Sequence, residues 1–298
     1  MCKILIALAL SFFCLEGCVT TSSGLYITTT TTNGALEQIP AGLLKPDGPG
    51  PFPAVVIMHD CSGLGPRSSG APARWAKELV GWGYVVVIPD SFTTRGHAGG
   101  VCTDPSPSRV EVSPLRRVRD AYAALAYVRT LSYVDGSRVG LMGGSHGGTT
   151  TLASMVVPEG AKEQLARERR GGFAAAVALY PGCATPLGRW RADLSGVYEP
   201  VAPLLILIGE NDDWTPAEPC RKLTEAAQKA GYPVTIKVYP GAHHSFDSNN
   251  AVRYVAARIN ANSPSGRGAT TGGDPAAWED SIREVNVFFG QRLKKKEN

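Results

Sequence analysis

The sequence Gly143-Gly144-Ser145-His146-Gly147-Gly148 indicates how the rest of the chain folds. An apolar run at 138–142 precedes it and residues 149–156 can continue as a helix, so the pattern predicts a strand, a sharp turn and a helix. The glycines two positions to either side of Ser145 leave room for a serine held in a strained conformation. Such a turn exposes the serine hydroxyl beside a helix N-terminus, where negative charge is favoured. The alternative is a glycine-rich loop that merely contains a serine.

Length and composition fit a single large domain of mixed helices and strands. The chain has 298 residues, 43% of them hydrophobic, and a formal net charge of +4. One domain with its own core accounts for a chain of this size. The sequence has no zinc-ligand spacing, no P-loop and no Gly-x-Gly-x-x-Gly fingerprint. We therefore expect no metal, no cofactor and no nucleic-acid partner, and the oligomeric state stays open.

The first residues have the pattern of an export signal. Lys3 is followed by an apolar run, 4–14, that is short for a membrane span. Leu15-Glu16-Gly17-Cys18 then resembles the cleavage site of bacterial lipoproteins, from which Glu16 is a departure. The pattern predicts a signal peptide at 1–17 and a mature protein that begins at Cys18.

A lipidated Cys18 would anchor the mature protein to a membrane through its acyl chains. Residues 18–24 would then be a tether, and residues 25–298 the folded domain. We accordingly expect an exported protein of the bacterial cell envelope. The alternative is ordinary signal-peptide cleavage, which would leave a free periplasmic or secreted protein.

Export also bears on the remaining cysteines, because an oxidising compartment permits disulfides. Outside residues 1–24 the sequence has four cysteines, which lie in loops after predicted strands. Our hypothesis pairs Cys61 with Cys102 and Cys183 with Cys220. The alternative is four reduced and partly buried thiols.

Apolar runs alternate with amphipathic segments through most of the chain. Continuous apolar runs predict strands buried on both faces, and a period of 3.6 residues predicts helices. The predicted strands are 25–32 and 36–44, joined by the hairpin signal Asn33-Gly34, then 54–59, 84–89, 138–142, 174–180, 204–209 and, as the last strand, 234–239. The predicted helices are 71–80, 114–131, the segment after Ser145, a charged surface helix at 159–170, 216–230 and 275–293, with a loop at 262–274.

Strands that alternate with helices predict a mostly parallel central sheet with helices on both faces. Together with the turn at Ser145, this is the α/β-hydrolase fold. Ligands of such sheets bind at the carboxyl ends of the strands. The helix at 114–131 has apolar residues on one face, which we interpret as packing: Val118, Ala121, Leu125 and Val128.

A serine nucleophile needs a base and an acid, and in α/β-hydrolases the acid follows the serine and the histidine follows the acid. The strand at 204–209 is followed by Glu210-Asn211-Asp212-Asp213, and the last predicted strand is followed by His243-His244. Both segments lie at carboxyl ends of strands, as Ser145 does. The chain therefore has the order and the strand-end placement that a serine–acid–histidine triad requires. Each of the two later segments offers more than one candidate for its member of the triad.

Five motifs, taken in order, resemble the dienelactone hydrolase family of α/β-hydrolases over about residues 39–293. They are Met58-His59-Asp60-Cys61-Ser62-Gly63, Pro89-Asp90-Ser91-Phe92, Gly143-Gly144-Ser145-His146-Gly147, Gly209-Glu210-Asn211-Asp212-Asp213-Trp214-Thr215-Pro216 and His244-Ser245-Phe246. The resemblance implies Asp212 as the acid, because it lies three residues after the glycine. It implies His244 as the base, because it directly precedes Ser-Phe. Asp213 and His243 are then structural neighbours, and Glu210 is a weaker candidate for the acid.

This resemblance implies a hydrolase that acts on a small-molecule ester. Ser145 would attack the ester carbonyl, and His244 would accept its proton and return it to the leaving alcohol. Asp212 would orient the imidazole ring. The main-chain N–H groups of Cys61 and His146 would hold the oxyanion. Water would then release the acyl group from the serine.

Two departures from the family pattern concern the substrate. The family's namesakes have a cysteine nucleophile where this chain has Ser145, and they hold a substrate carboxylate with two arginines. Arg95 matches one of these arginines and is our candidate for substrate binding, the alternative being an ion pair with Asp90 or Asp104. No arginine follows the His-Ser-Phe motif until Arg253. These departures favour a general carboxylic ester over a dienelactone.

Two further functions stay open. An acyltransferase or a peptidase could use the same triad, because the motifs do not specify the acyl acceptor. A non-catalytic binding protein of the cell envelope could keep the fold without the chemistry. The second is disfavoured because all three positions of the triad hold competent residues.

Overall fold

The computed structural model describes residues 24–31, 33–156 and 171–294. The predicted signal peptide, the lipidation site Cys18 and nearly all of the tether lie outside the described residues, and so does the predicted helix at 159–170. Among the described helices, none combines the length and the apolar character that a bilayer span requires.

An eight-stranded sheet forms the centre of the described part of the chain. Its order is β1-β2-β4-β3-β5-β6-β7-β8. The strands are β1 Tyr26–Thr30, β2 Leu36–Leu44, β3 Phe52–Met58, β4 Val85–Pro89, β5 Val134–Gly144, β6 Ala175–Leu179, β7 Leu204–Gly209 and β8 Val234–Tyr239. Strands β3 to β8 are parallel, whereas β1 and β2 form the predicted antiparallel hairpin and β2 pairs antiparallel with β4. The predicted mostly parallel sheet is confirmed.

Helices cover both faces of this sheet, as predicted. They are α1 Ala71–Gly81, α2 Val118–Val128, α3 His146–Ser154, α4 Ala217–Lys229 and α5 Pro275–Leu293. Helices α2 and α3 contact each other, and α1 meets α5 where the rings of Trp75 and Trp278 lie 4.7 Å apart. Both pairs pack on the central strands β3 and β5, from opposite sides. The fold is that of an α/β-hydrolase.

Helix α2 is shorter than the predicted helix at 114–131. The four residues before it form turns, in which the N–H groups of Arg116 and Arg117 both donate to the carbonyl of Ser113. Helix α5 keeps its predicted bounds because Asp274 caps it by accepting a hydrogen bond from the N–H of Ala277 at 2.9 Å.

A second, two-stranded sheet corrects the sequence prediction. Strands β9 Arg253–Ile259 and β10 Arg267–Thr271 form an antiparallel hairpin, so 234–239 is not the last strand and 262–274 is not all loop. Most side chains of β9 are exposed, which removes the apolar alternation that marks a strand in sequence. The hairpin lies on loops of the large sheet, where the N–H of Gly272 donates to the carbonyl of His244 at 3.0 Å.

Two disulfides join the four cysteines in the predicted pairs. Cys61 is bonded to Cys102, and Cys183 is bonded to Cys220. The first bond ties the loop after β3 to the loop that follows β4. The second ties the loop after β6 to helix α4. Both bonds therefore lie at the carboxyl ends of the parallel strands, where the candidate site residues are found.

Candidate active site

Ser145 lies in the sharp turn between β5 and α3, in a backbone conformation that a residue with a side chain rarely adopts. Its φ is 53° and its ψ is −116°. A Cβ added to Gly147 would lie 2.0 Å from the carbonyl oxygen of Met58, and one added to Gly143 would lie 2.4 Å from that of Gly147. Only glycine fits at both positions, because backbone atoms cannot move aside.

The structure brings Ser145, His244 and Asp212 together from three different loops. The Nε2 atom of His244 lies 2.9 Å from the Oγ of Ser145, and its Nδ1 lies 2.8 Å from an Oδ of Asp212. All three side chains are buried, and the His244 ring has no exposed surface. This is the chain of hydrogen bonds that a serine, a base and an orienting acid require.

The carboxylate of Asp212 is held by groups on its own loop. Its Oδ1 accepts hydrogen bonds from the N–H groups of Trp214, at 3.0 Å, and Thr215, at 2.8 Å. The hydroxyl of Thr215 lies 2.9 Å from Oδ2, the oxygen that faces His244. A carboxylate held in this way accepts a hydrogen bond from the protonated Nδ1 of His244. The unprotonated Nε2 is then free to accept a hydrogen bond from the hydroxyl of Ser145.

Two aromatic rings pack against His244. The centroids of Tyr180 and Trp214 each lie 4.7 Å from that of the imidazole. The Tyr180 hydroxyl donates to the buried carboxyl group of Asp247 at 2.7 Å, and the indole N–H of Trp75 donates to the other oxygen at 2.8 Å. Burial raises the pKa of Asp247. Sequence analysis missed this support because Tyr180 and Asp247 are 67 residues apart.

The neighbouring acidic and imidazole groups bind groups outside the proposed triad. Asp213 binds the N–H and hydroxyl of Thr270 on the β9–β10 hairpin, each at 2.8 Å. His243 is half-buried, and its Nδ1 lies 3.1 Å from the carbonyl oxygen of Asn211. Glu210 accepts a hydrogen bond from the N–H of Gly241. These contacts agree with the choice of Asp212 and His244 over their neighbours.

The two proposed oxyanion donors lie at the carboxyl ends of adjacent strands. Cys61 is in the loop after β3, and His146 is the first residue of α3. In the described part of the chain, neither main-chain N–H has an acceptor. Cys61 is fixed by its disulfide and by the N–H of Val101, which donates to its carbonyl at 2.7 Å.

The prediction that Arg95 binds substrate is wrong. Its guanidinium donates to both oxygens of Asp120, at 2.7 and 2.9 Å, and pairs with Glu37 at 2.8 Å. The alternative partners, Asp90 and Asp104, are not the ones it binds. Asp120 has no exposed surface, so its charge requires the arginine. Arg95 is therefore committed to a buried ion pair.

A buried arginine that sequence analysis missed is Arg117. It precedes α2 and has no exposed surface. It lies four residues before Ala121, on the face of the helix that packs against the sheet. The signal that could have identified Arg117 is its position in line with the apolar residues of the predicted helix. A charged residue at such a position is buried on folding and requires specific partners.

The described residues include one cluster of possible metal ligands, formed by Asp60, Cys61 and Cys102. The two sulfurs are joined in the disulfide, so neither can act as a thiolate ligand. The Asp60 carboxylate accepts hydrogen bonds from the hydroxyls of Ser62 and Ser69. The chemistry of this cluster therefore does not suit a metal ion.

The family assignment follows from comparison with family models. The model of the dienelactone hydrolase family matches residues 39–293. The chain belongs to the dienelactone hydrolase family. It is accordingly a hydrolase that acts on esters. The match covers strands β3 to β8 and most of β2, the three loops that meet at Ser145 and the β9–β10 hairpin, and it leaves out β1.

Individual relatives agree with this assignment. A protein of Synechocystis sp., whose name proposes carboxymethylenebutenolidase activity, is 26% identical over 233 residues, which are 74% of this chain and 85% of that protein. Esterase 2 of Thermogutta terrifontis, solved phosphorylated by paraoxon, is 20% identical with a TM-score of 0.61, covering 93% of this chain and 96% of that chain. Dipeptidyl peptidase 4 of Porphyromonas gingivalis is 20% identical with a TM-score of 0.57, covering 90% of this chain and 35% of that chain. The two structural similarities concern the fold.

Replacing Arg95 with methionine should destabilise the protein and leave its chemistry intact. The change leaves Asp120 buried without its cationic partner, which costs about 3 to 5 kcal/mol of unfolding free energy. Chemical denaturation of the wild type and Arg95→Met measures this loss. In the folded variant, kcat and KM for an ester should match the wild type. A raised KM with unchanged stability would restore Arg95 as a substrate-binding residue.

Proposed function

We propose that this chain cleaves a carboxylic ester with Ser145 as nucleophile, His244 as base and Asp212 as the acid that orients the base. The observation that supports the proposal best is the position of His244, which is 2.9 Å from the hydroxyl of Ser145 and 2.8 Å from the carboxylate of Asp212. A hydroxyl becomes an effective nucleophile only when such a base accepts its proton.

The proposed reaction has two halves. Ser145 Oγ bonds to the ester carbon as its proton passes to Nε2 of His244, and the carbonyl oxygen becomes an oxyanion held by the N–H groups of Cys61 and His146. The carbon–oxygen bond of the ester then breaks, and the alcohol leaves with the proton from His244. Water repeats these steps on the acyl-enzyme and releases the acid.

Relatives support hydrolysis over the other functions of the same fold. The Thermogutta esterase was solved phosphorylated by paraoxon, which suits a serine nucleophile. An acyltransferase or a peptidase stays a second candidate, and the peptidase of Porphyromonas shares the fold with this chain. A non-catalytic binding protein fits poorly with a complete set of hydrogen-bonded triad residues.

A polar cavity beside the site favours an ester that carries a negative charge. The cavity has a volume of about 390 Å³, and its walls include Ser62 and Ser245, which directly follow Cys61 and His244. Arg67, Arg253 and Arg258 also line it. Among the described residues, no carboxylate forms an ion pair with any of these three arginines. Three such guanidinium groups favour a carboxylate or another anion.

Arg258 is the best placed of the three arginines. Its guanidinium lies 4.8 Å from the ring of Trp214, which itself packs against His244. It also contacts the sulfur of Cys61 at 3.9 Å. The substrate in the name of the Synechocystis relative is a lactone that bears a carboxyl group. We therefore extend the proposal to esters or lactones with an anionic substituent. The arginines that line the cavity, and not Arg95, would hold this substituent.

A serine-directed fluorophosphonate probe tests the nucleophile. We expect the probe to label the wild type and not Ser145→Ala, and we expect this variant to lose about a million-fold in kcat. Ser108→Ala, a change at an exposed serine, is the matched control and should label fully. A folded wild type that refuses the probe and hydrolyses no ester would favour the binding protein instead.

Paired substrates test the anionic substituent. One substrate is an ester with a free carboxylate substituent, and the other is the same ester with that carboxylate blocked as its methyl ester. We expect the wild type to have a higher kcat/KM for the substrate with the free carboxylate. Arg258→Met should lower kcat/KM for the carboxylate substrate about 10- to 100-fold, the value of a charged hydrogen bond. Arg221→Met, at an exposed position of α4, is the control. Equal rates for both esters in the wild type would rule out this substrate class.

The lipid anchor stays part of the proposal, because Cys18 lies outside the described residues. A lipidated protein should fractionate with membranes, and Cys18→Ala should move it to the soluble fraction, since the acyl chains supply the membrane affinity. Cell fractionation with an antibody against the chain measures the distribution. An unchanged distribution would favour ordinary signal-peptide cleavage.

A further inference from the structure

Arg117 contacts both segments that carry the proposed oxyanion donors. Its Nη2 donates to the carbonyl oxygen of His59 at 2.9 Å, two residues before Cys61. Its Nη1 donates to Nδ1 of His146 at 2.7 Å. One guanidinium thus joins the loop after β3 to the first residue of α3.

The guanidinium of Arg117 has no hydrogen-bonded carboxylate, although Asp120, Asp60 and Asp90 attract its charge through space. Within the described residues, no carboxylate oxygen accepts a hydrogen bond from it, and its Nε has no partner at all. The nearby carboxylates are committed elsewhere: Asp60 to Ser62 and Ser69, Asp90 to Phe92 and Thr93, and Asp120 to Thr29 and Arg95. Burial lowers the pKa of Arg117 to about 10, so the group is charged at neutral pH.

The surroundings hold the guanidinium in one position. It lies 5.0 Å from the ring of Phe92, and that ring also packs edge-on against His59 and His146. Because Arg117 can only donate, Nδ1 of His146 carries no proton and its ring is neutral. Burial and the charge of Arg117 lower the pKa of His146 well below its usual value. The orientation of His146 is therefore fixed by the arginine.

We propose that Arg117 is the positioning residue of the oxyanion hole, an inference that rests on the proposed function of Ser145. By bonding to His59 and His146, it keeps the N–H groups of Cys61 and His146 at a fixed separation. Its buried, unpaired charge adds a field that favours the oxyanion over the neutral ester. The free energy of burying a charge without a carboxylate is thus recovered when negative charge develops nearby.

The test compares Arg117→Met and Arg117→Lys with Arg95→Met, a change at a partly buried arginine whose partners are carboxylates. On a neutral ester, Arg117→Met should lower kcat about 100-fold with little change in KM, because the interaction is made only in the transition state. Affinity for a trifluoromethyl ketone, which forms an oxyanion when Ser145 adds to its carbonyl, should fall by the same factor. Arg95→Met should change neither quantity.

Arg117→Lys adds a second measurement, the pH dependence of kcat, which should not change if Arg117 has a purely structural role. A lysine keeps a charge in this site, and burial depresses its pKa into the accessible range. The kcat of this variant should therefore fall as the pH rises between about 6 and 9, where the wild type stays charged. Near-UV circular dichroism confirms that each variant is folded, and Arg117→Lys carries the test alone if Arg117→Met does not fold.

Two results would overturn the inference. One is a folded Arg117→Met with the kcat and ketone affinity of the wild type. The other is an Arg117→Lys whose pH profile matches the wild type. Ser145→Ala separates this failure from a failure of the proposed function. If that variant is inactive and the Arg117 variants are not impaired, only the role of Arg117 is wrong, whereas an active Ser145→Ala rejects the triad itself.

Discussion

The close approach between the turn at Ser145 and strand β3 is the constraint on which the site depends. The backbone at Gly147 comes so near the carbonyl of Met58 that a single methyl group would overlap it. This approach places the start of α3 against the end of β3, so that the amides of Cys61 and His146 belong to neighbouring segments. The N–H of Ser145 also donates to the carbonyl of Leu179 on β6. Ser145 is therefore fixed from both sides of its own strand.

Buried charge is handled in two different ways around this turn. Arg95 is neutralised by Glu37 and Asp120, and the group forms a closed ion pair that supports the fold. Arg117 lies nearby without any such partner and bonds to a carbonyl and an imidazole nitrogen. A cation hydrogen-bonded to two carboxylates has a weak net field beyond the pair, whereas Arg117 is bonded to neutral groups and is attracted to Asp60, Asp90 and Asp120 only through space. The two arginines thus differ in both partners and burial, because Arg95 is partly exposed and Arg117 is fully buried.

The β9–β10 hairpin connects the acid, the base and the polar cavity. Thr270 binds Asp213, next to the acid, and Gly272 donates to the carbonyl of His244. The same hairpin brings Arg258 onto the ring of Trp214. A segment with exposed strands and few contacts with the main sheet therefore contributes both to the support of the triad and to the walls that a substrate would meet.

The sequence by itself determined the succession of the first eight strands along the chain, the turn at Ser145 and the resemblance to the family, and it suggested the disulfide pairs without excluding reduced thiols. Continuous apolar runs and glycines report local requirements, and the motifs around Asp212 and His244 recur at fixed distances from strand ends. The sequence did not reveal the β9–β10 hairpin, the ion pair of Arg95 or the position of Arg117. The last two depend on contacts between groups that are 25 to 58 residues apart along the chain. Only the tertiary structure determines such contacts, because packing in space sets the partner of a buried charge. This choice of partner leaves no periodic pattern along the chain.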